Sequence, residues 1–491
     1  MKTRQDIARS YAIILHYTGL ILVLGGSLVL TPLLCLFFWP DEIELASGFA
    51  APAVAMLFLG GLFWWLFKGK DGQSLDIEQS AVIVVLSWVA VCFFSAWPFM
   101  AIQKLSFTQA LFESVSGWTT TGLSVVNVEQ ASHVILLWRS VMQWAGGAGL
   151  AIIMLATIVG PTGPALGIAE GRSQQLVPQV RHSAKIVMMI YVGYAILGVV
   201  AYSLAGMEIF DAVNHTFAAI STGGFSTRTD SIGHWNSLSI EAVTLPLMVL
   251  GNLNFLTAYL LLHGKIKAVS KNGEVRLVIL LVPVCASLLF FLVCAGLYPT
   301  LSKGVRVAVF ETVTALTTTG FSTVGYGNWN SFGVLMLIIL MLIGGGTCST
   351  AGGLKQYRVY VLCKSLIWEI NAFFLPRTAV RENYVWQGEQ KDFISEARIK
   401  QIGTFLFLYV TTYVLGSLVI AGTGVSLEDS LFEFASALGT VGLSIGVTGP
   451  QASPVILWTE IVGMLLGRLE FFVVISGIVK LCRDFRRTLR S

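Results

Sequence analysis

Ten stretches of the chain are apolar for long enough to cross a bilayer: near residues 11–38, 48–67, 78–101, 133–159, 185–205, 236–262, 275–298, 332–365, 400–422 and 454–480. A membrane-crossing helix needs about 20 such residues. The run at 332–365 is the least regular, because glycines and polar residues interrupt its middle. A short polar segment follows the third, fifth, seventh and ninth runs, and the four copies share one spacing. Glu113, Glu311 and Glu433, each preceded by Phe, stand nine residues before Gly122 in TTTGLS, Gly320 in TTTGFS and Gly442 in GTVGLS. In the remaining copy Asn214-His215 leads at the same offset to Gly224 in STGGFS. A fixed offset in four copies marks an internal repeat, and each unit reads helix, short re-entrant segment, helix. The pattern predicts an all-α polytopic membrane protein. It has about ten transmembrane helices, with four re-entrant pore-helix and filter loops in pseudo-fourfold arrangement around one pore. The divisions fall at 1–70 for two extra N-terminal helices and at 71–165, 166–265, 266–375 and 376–491 for pore repeats one to four.

Composition agrees. Only 12% of the 491 residues are charged and 55% are hydrophobic, against about 25% charged in soluble domains. With the N-terminus inside, roughly 25 of the 31 basic residues fall on the cytoplasmic side, as the positive-inside rule requires of an even number of spans. Lys104, Arg228, Lys303 and Arg306 remain outside, with the acidic stretch Asp41-Glu42-Ile43-Glu44. All four polar segments then open outward, and both termini are cytoplasmic. The net charge of +4 reflects this topology and lipid headgroups, not nucleic acid. The apolar run beginning at Tyr11 is too long for a cleavable signal core. The seven cysteines are scattered, without ligand spacing.

Non-helical backbone at membrane depth is tolerated only where protein buries it or where it lines a watery cavity. Four such segments on one side of one chain can surround an axis. Carbonyls aimed at that axis would replace the hydration shell of a monovalent cation. The four glycines suit this, since turning successive carbonyls inward needs backbone angles that a Cβ disfavours. The candidate ion-binding residues are Thr120, Thr121 and Gly122; Thr222, Gly223 and Gly224; Thr318, Thr319 and Gly320; and Thr440, Val441 and Gly442. The short helices would point their partially negative C-terminal ends at the ion, with Glu113, Glu311 and Glu433 at their N-terminal ends. The competing reading is four ordinary helix caps with glycine at C′.

The third repeat carries a second anomaly. Gly344, Gly345, Gly346, Thr347, Cys348, Ser349, Thr350, Ala351, Gly352 and Gly353 cannot sustain a helix cheaply, at roughly 1 kcal/mol per Gly relative to Ala. A break here would lay a polar loop across the path beneath the filter, the alternative being close packing of helices through small residues. The stretch lacks the Gly-Lys-Ser/Thr of a phosphate-binding loop. Arg468, mid-span in the fourth repeat, is a functional candidate by default. It could face the glycine stretch as an electrostatic barrier, while Arg139, near an outer helix end, can snorkel.

At these residues the chain resembles the Trk/Ktr/HKT superfamily of potassium transporters, and within it the bacterial TrkH branch. The likeness covers essentially the whole chain and includes GGGTCSTAGGLK at 344–355 and GRLEFF at 467–472. It implies potassium-selective uptake across the bacterial inner (cytoplasmic) membrane, with an intramembrane loop as gate. K+ (and Rb+) would be the transported ion, and the chain would hold no cofactor. It also implies a homodimer with one pore per chain, embedded in membrane lipid. A cytosolic TrkA-like nucleotide-binding regulatory subunit would dock on the basic faces near 160–185, 355–400 and the tail. Sodium-preferring plant relatives carry Ser where this chain has Gly122, which favours potassium. The second segment departs from the family pattern, and its His215 reads as a capping or packing residue rather than a pH sensor. A proton- or sodium-coupled symporter of the same fold would need coupling carboxylates, for which only Glu241, Glu460 and Glu470 come near. A membrane enzyme would need clustered His, Cys, Asp or Glu, and the six histidines are dispersed.

Overall fold

The computed structural model describes residues 4–68, 75–149, 180–374, 376, 382–388 and 390–490. α1 (Arg4–Val29) and α2 (Ala46–Leu66) pair through facing glycines, where a Cβ on Gly19 would stand 2.7 Å from Gly60 O. Small residues let helix backbones approach where lipid offers no hydrophobic drive for association. Four units of one plan follow. The first comprises α3 (Ile77–Ile102), a short buried helix α4 (Phe107–Trp118) and an inner helix α5 (His133–Ala148). The second comprises α6 (Val180–Leu204), α7 (Ile209–Ile220), α8 (Leu238–Asn252) and α9 (Phe255–Leu262). The third comprises α10 (Gly273–Leu297), α11 (Leu301–Leu316), α12 (Ser331–Ile343) and α13 (Gln356–Ala372). An antiparallel hairpin, β1 (Tyr384–Gln387) with β2 (Gln390–Phe393), leads to the fourth. That unit is α14 (Glu396–Ala421), α15 (Leu427–Gly439), α16 (Pro454–Leu469) and α17 (Phe471–Arg490).

Among the described residues, six helices are long and apolar enough to cross a membrane, and eight if two bent pairs each count as one span. The other two predicted runs are α12, which stops at Ile343, and α5, whose predicted continuation to 159 lies outside the described residues. The predicted runs at 236–262 and 454–480 are each a bent pair of helices. The chain turns by 117° between α8 and α9 and by 104° between α16 and α17. In each unit the inner helix ends where the backbone leaves helical space: Gly149 at φ 85°, Leu253 at ψ 138°, Gly344 at φ 69° and Glu470 at φ 62°. The C-terminal ends of the four short helices are enclosed by protein. In α15 every residue from Phe432 to Gly439 is buried.

Candidate functional site

The four short helices end identically. Thr120, Thr222, Thr318 and Thr440 stand at φ 55°, 52°, 55° and 51°. Their amides donate three residues back, at 3.1, 3.1, 3.3 and 3.2 Å, and the next amides donate five residues back, at 2.9, 2.8, 3.0 and 2.8 Å. This is a Schellman cap with threonine where glycine is usual. The cap position belongs to the threonines, so the four glycines two residues on are not C′ caps. A left-handed conformation costs a residue with a Cβ roughly 1–2 kcal/mol. Strain repeated at four equivalent positions points to a functional demand.

Gly122, Gly224, Gly320 and Gly442 are also at positive φ, 96°, 73°, 81° and 98°. A Cβ on Gly122 would run into Gly223 O, on Gly224 into Thr319 O, on Gly320 into Val441 O, and on Gly442 into Thr121 O. Each glycine therefore abuts a carbonyl of the next repeat, in the order one, two, three, four and back to one. The ring closes within a single chain. A vestibule of about 770 Å³ opens onto all four glycines. Thr119 pairs with Thr121, and Thr317 with Thr319, through hydroxyls 2.8 Å apart. Ser116 and Ser436 hydroxyls accept the amides of Gly122 and Gly442 at 3.1 and 2.9 Å. At the inner side, Thr120 Oγ1 and Thr440 Oγ1 are buried without a hydrogen-bond partner. The second repeat differs: Gln143 of α5 donates to Gly223 O at 2.5 Å and accepts Phe225 N at 3.1 Å.

The glutamates do not open their helices. Glu113 is the seventh residue of α4, Glu433 the seventh of α15, and Glu311 the eleventh of α11. All three are buried, and their carboxylates accept donors from the strand that climbs away from each glycine. Glu113 takes Ser124 Oγ at 3.0 Å and Val125 N at 3.0 Å. Glu311 takes Thr323 N at 2.9 Å, Thr323 Oγ1 at 2.8 Å and Tyr326 Oη at 2.6 Å. Glu433 takes Ser444 Oγ at 2.6 Å, Ile445 N at 3.1 Å and Thr448 N at 2.8 Å. His215 fills the same place in the second repeat, with Nε2 2.9 Å from Ser226 Oγ and Nδ1 2.8 Å from Asp211 O. Arg139 does not snorkel. It is 2% exposed, pairs with Glu113 at 2.7 Å, donates to Ser226 O at 3.0 Å and lies over the Phe225 ring. Arg139 thereby ties the first strand to the second.

Residues 344–353 form a loop folded against the inner ends of three of the short helices. Gly345 N bonds Gly352 O at 3.0 Å, and Ser349 Oγ donates to Gly346 O at 2.6 Å. Gly346 N and Thr347 N are held by Asn252 Oδ1 and Glu274 Oε1, at 3.1 and 2.7 Å, while Phe255 N donates to Cys348 O at 3.2 Å. Thr350 Oγ1 donates to Gly251 O and stands 3.2 Å from Thr222 Oγ1. Gly352 N donates to Thr318 Oγ1 at 3.0 Å, and a Cβ on Gly352 would meet Thr440 Oγ1. Lys355 Nζ caps Ala351 O at 2.5 Å, and Gly353 completes the turn at φ 78°. The loop thus reaches the left-handed threonines of repeats two, three and four. Arg468, in the last turn of α16, donates to Thr350 O at 2.5 Å and to Gly146 O of α5 at 2.5 Å. Glu470 pairs instead with Arg358 at 2.8 Å, and Arg358 also covers the Phe405 ring. Sequence reasoning did not single out Gln143, Asn252, Glu274 or Arg358. The stretches GGAG, GNLN, GGG and GRLE recur a similar distance past each ring glycine, and of these four residues that signal contains Asn252 alone.

The family model for TrkH, a cation transport protein, matches residues 46–484. The Trk system potassium uptake protein TrkH of Escherichia coli is 30% identical over 479 residues, covering 94% of this chain and 97% of that one. An uncharacterized cation transporter of Methanocaldococcus jannaschii is 29% identical over 493 residues, covering 99% and 98%. The crystal structure of the potassium transporter TrkH from Vibrio parahaemolyticus superposes with a TM-score of 0.83 at 27% identity, covering 96% of this chain and 98% of that one. The family model runs from the start of α2 into α17, and the chain belongs to the TrkH family of cation transport proteins.

Proposed function

We propose that this chain takes potassium up across the bacterial cytoplasmic membrane, with both termini inside, through one pore per chain. The observation that carries this reading is the closed ring in which each of Gly122, Gly224, Gly320 and Gly442 abuts a carbonyl of its neighbour. Carbonyls of Thr120 and Thr121, Thr222 and Gly223, Thr318 and Thr319, and Thr440 and Val441, with the ring glycines, replace the water around K+. The unpartnered Thr120 and Thr440 hydroxyls are further ligands at the inner end. K+, or Rb+ in its place, is the cargo, and the chain needs no cofactor of its own. The loop 344–353 is the gate, and Arg468 is both its latch and a positive barrier to cations. A cytosolic nucleotide-binding subunit acts on the basic cytoplasmic face of a homodimer, and the pore units divide at 71, 166, 266 and 376. Rubidium flux into proteoliposomes tests the whole reading. Uptake driven by the rubidium gradient and voltage alone is expected, and uptake that requires a proton or sodium gradient would replace the pore with a coupled symporter.

A further inference from the structure

Repeats one and four brace their outer strands with opposite chemistry. In the first, Glu113 holds the strand and Arg139 of the inner helix balances its charge at 2.7 Å. In the fourth, Glu433 holds the strand, but the inner helix supplies Glu460. Both acids are fully buried. Thr448 joins them: its amide donates to Glu433 Oε1 at 2.8 Å and its hydroxyl to Glu460 Oε1 at 2.9 Å. Glu460 Oε2 has no hydrogen-bond partner, and Glu460 forms no ion pair among the described residues.

The helices packed on α16 bring no balancing cation. α15 contributes Glu433 itself, with Glu428 and Asp429 at its start. α4 contributes only Glu113, which Arg139 already neutralises. α14 contributes Tyr409 and Tyr413, the latter donating to Leu431 O, with Glu396, Arg398 and Lys400 at its first turns. α17 contributes Lys480, paired with Asp484 at 2.8 Å, and Arg483, Arg486 and Arg487 toward its end. Arg468, on α16 itself, is bonded to the loop and to α5.

A buried carboxylate without a cation is costly enough that the group neutralises instead, and two acids in one enclosed site do not both ionise. We infer that Glu460 is held as the neutral acid and is a positioning residue for the filter strand of the fourth repeat. With its proton in place, Thr448 serves one anion and one neutral acid. Loss of the proton sets two anions on one threonine and loosens residues 443–448, which follow the ring glycine Gly442. The inference rests on reading Gly442 as part of a filter.

Infrared spectra of the full-length wild type minus Glu460→Gln, at neutral pH, are expected to show the carbonyl stretch of a protonated carboxyl. Its absence overturns the assignment whatever transport does. In proteoliposomes the wild-type Rb+ over Na+ flux ratio is expected to fall severalfold as pH is raised from neutral into the alkaline range, where the carboxyl gives up its proton. Glu460→Gln is expected to keep its ratio across that range. A Glu460→Gln protein that loses selectivity at neutral pH overturns the proposal, because the anion would then be the working form. A wild type that is unselective at every pH overturns the filter reading instead, and the infrared result still decides the state of Glu460. If the variant folds poorly, wild-type spectra at neutral and alkaline pH make the same comparison.

Discussion

The ring in this chain is set by which residues carry a Cβ. The left-handed threonines hold the ends of the short helices, and the ring glycines two residues later leave room for a neighbouring carbonyl. Gly122→Ser places a side chain against Gly223 O. It is expected to admit sodium, read as a fall in the Rb+ over Na+ flux ratio, and an unchanged ratio would remove Gly122 from the filter. The spacing from acid to glycine was legible in the sequence because a nine-residue offset survives whatever the helix does. The place of the acid along the helix was not read: the Ser106 and Ser426 caps stand seven residues before their glutamates but the Thr300 cap stands eleven before Glu311, so the caps do not share the fixed offset that links acid to glycine. Glu113 therefore looked like a first-turn residue but holds a strand across the bend. The acid could be found; its partner on the returning chain could not.

At the scale of elements, the break at Gly344 was legible from its glycine run, whereas the breaks at Asn252 and Glu470 were not. Apolar residues flank both, and mean hydropathy over a span does not register a change of direction. Glu470 turns the chain with a non-glycine residue at φ 62°, and its carboxylate is fixed by Arg358, the third residue of the helix that leaves the loop. The pair ties the exit of the loop to the segment that carries Arg468. Arg358→Glu and Glu470→Arg are each expected to raise basal Rb+ flux, and the double reversal to restore it. A coupling of roughly 1 kcal/mol is reasonable for two half-buried groups in contact. Strictly additive effects in the double variant would mean that the pair does not hold the loop.

For the whole molecule, four units of one plan were legible from their period, but the order of neighbours was not. Gly442 against Thr121 O closes the circle between the ends of the repeat array, so each chain encloses its own axis. Co-reconstituting wild type with Gly320→Ala, whose Cβ would strike Val441 O, should therefore lower flux in proportion to the wild-type fraction. Dominant suppression by the variant would point to a path shared between chains. A channel assembled from four identical subunits receives every mutation in quadruplicate, so its ring can change only symmetrically. Here a single codon alters one quadrant and leaves three as they were. The quadrants have already diverged: His215 stands where the others have Glu, Gln143 holds Gly223 O, and the inner helices of the first and last repeats bring an arginine and a glutamic acid to their strands. Selection can thus adjust this ring in quarter steps.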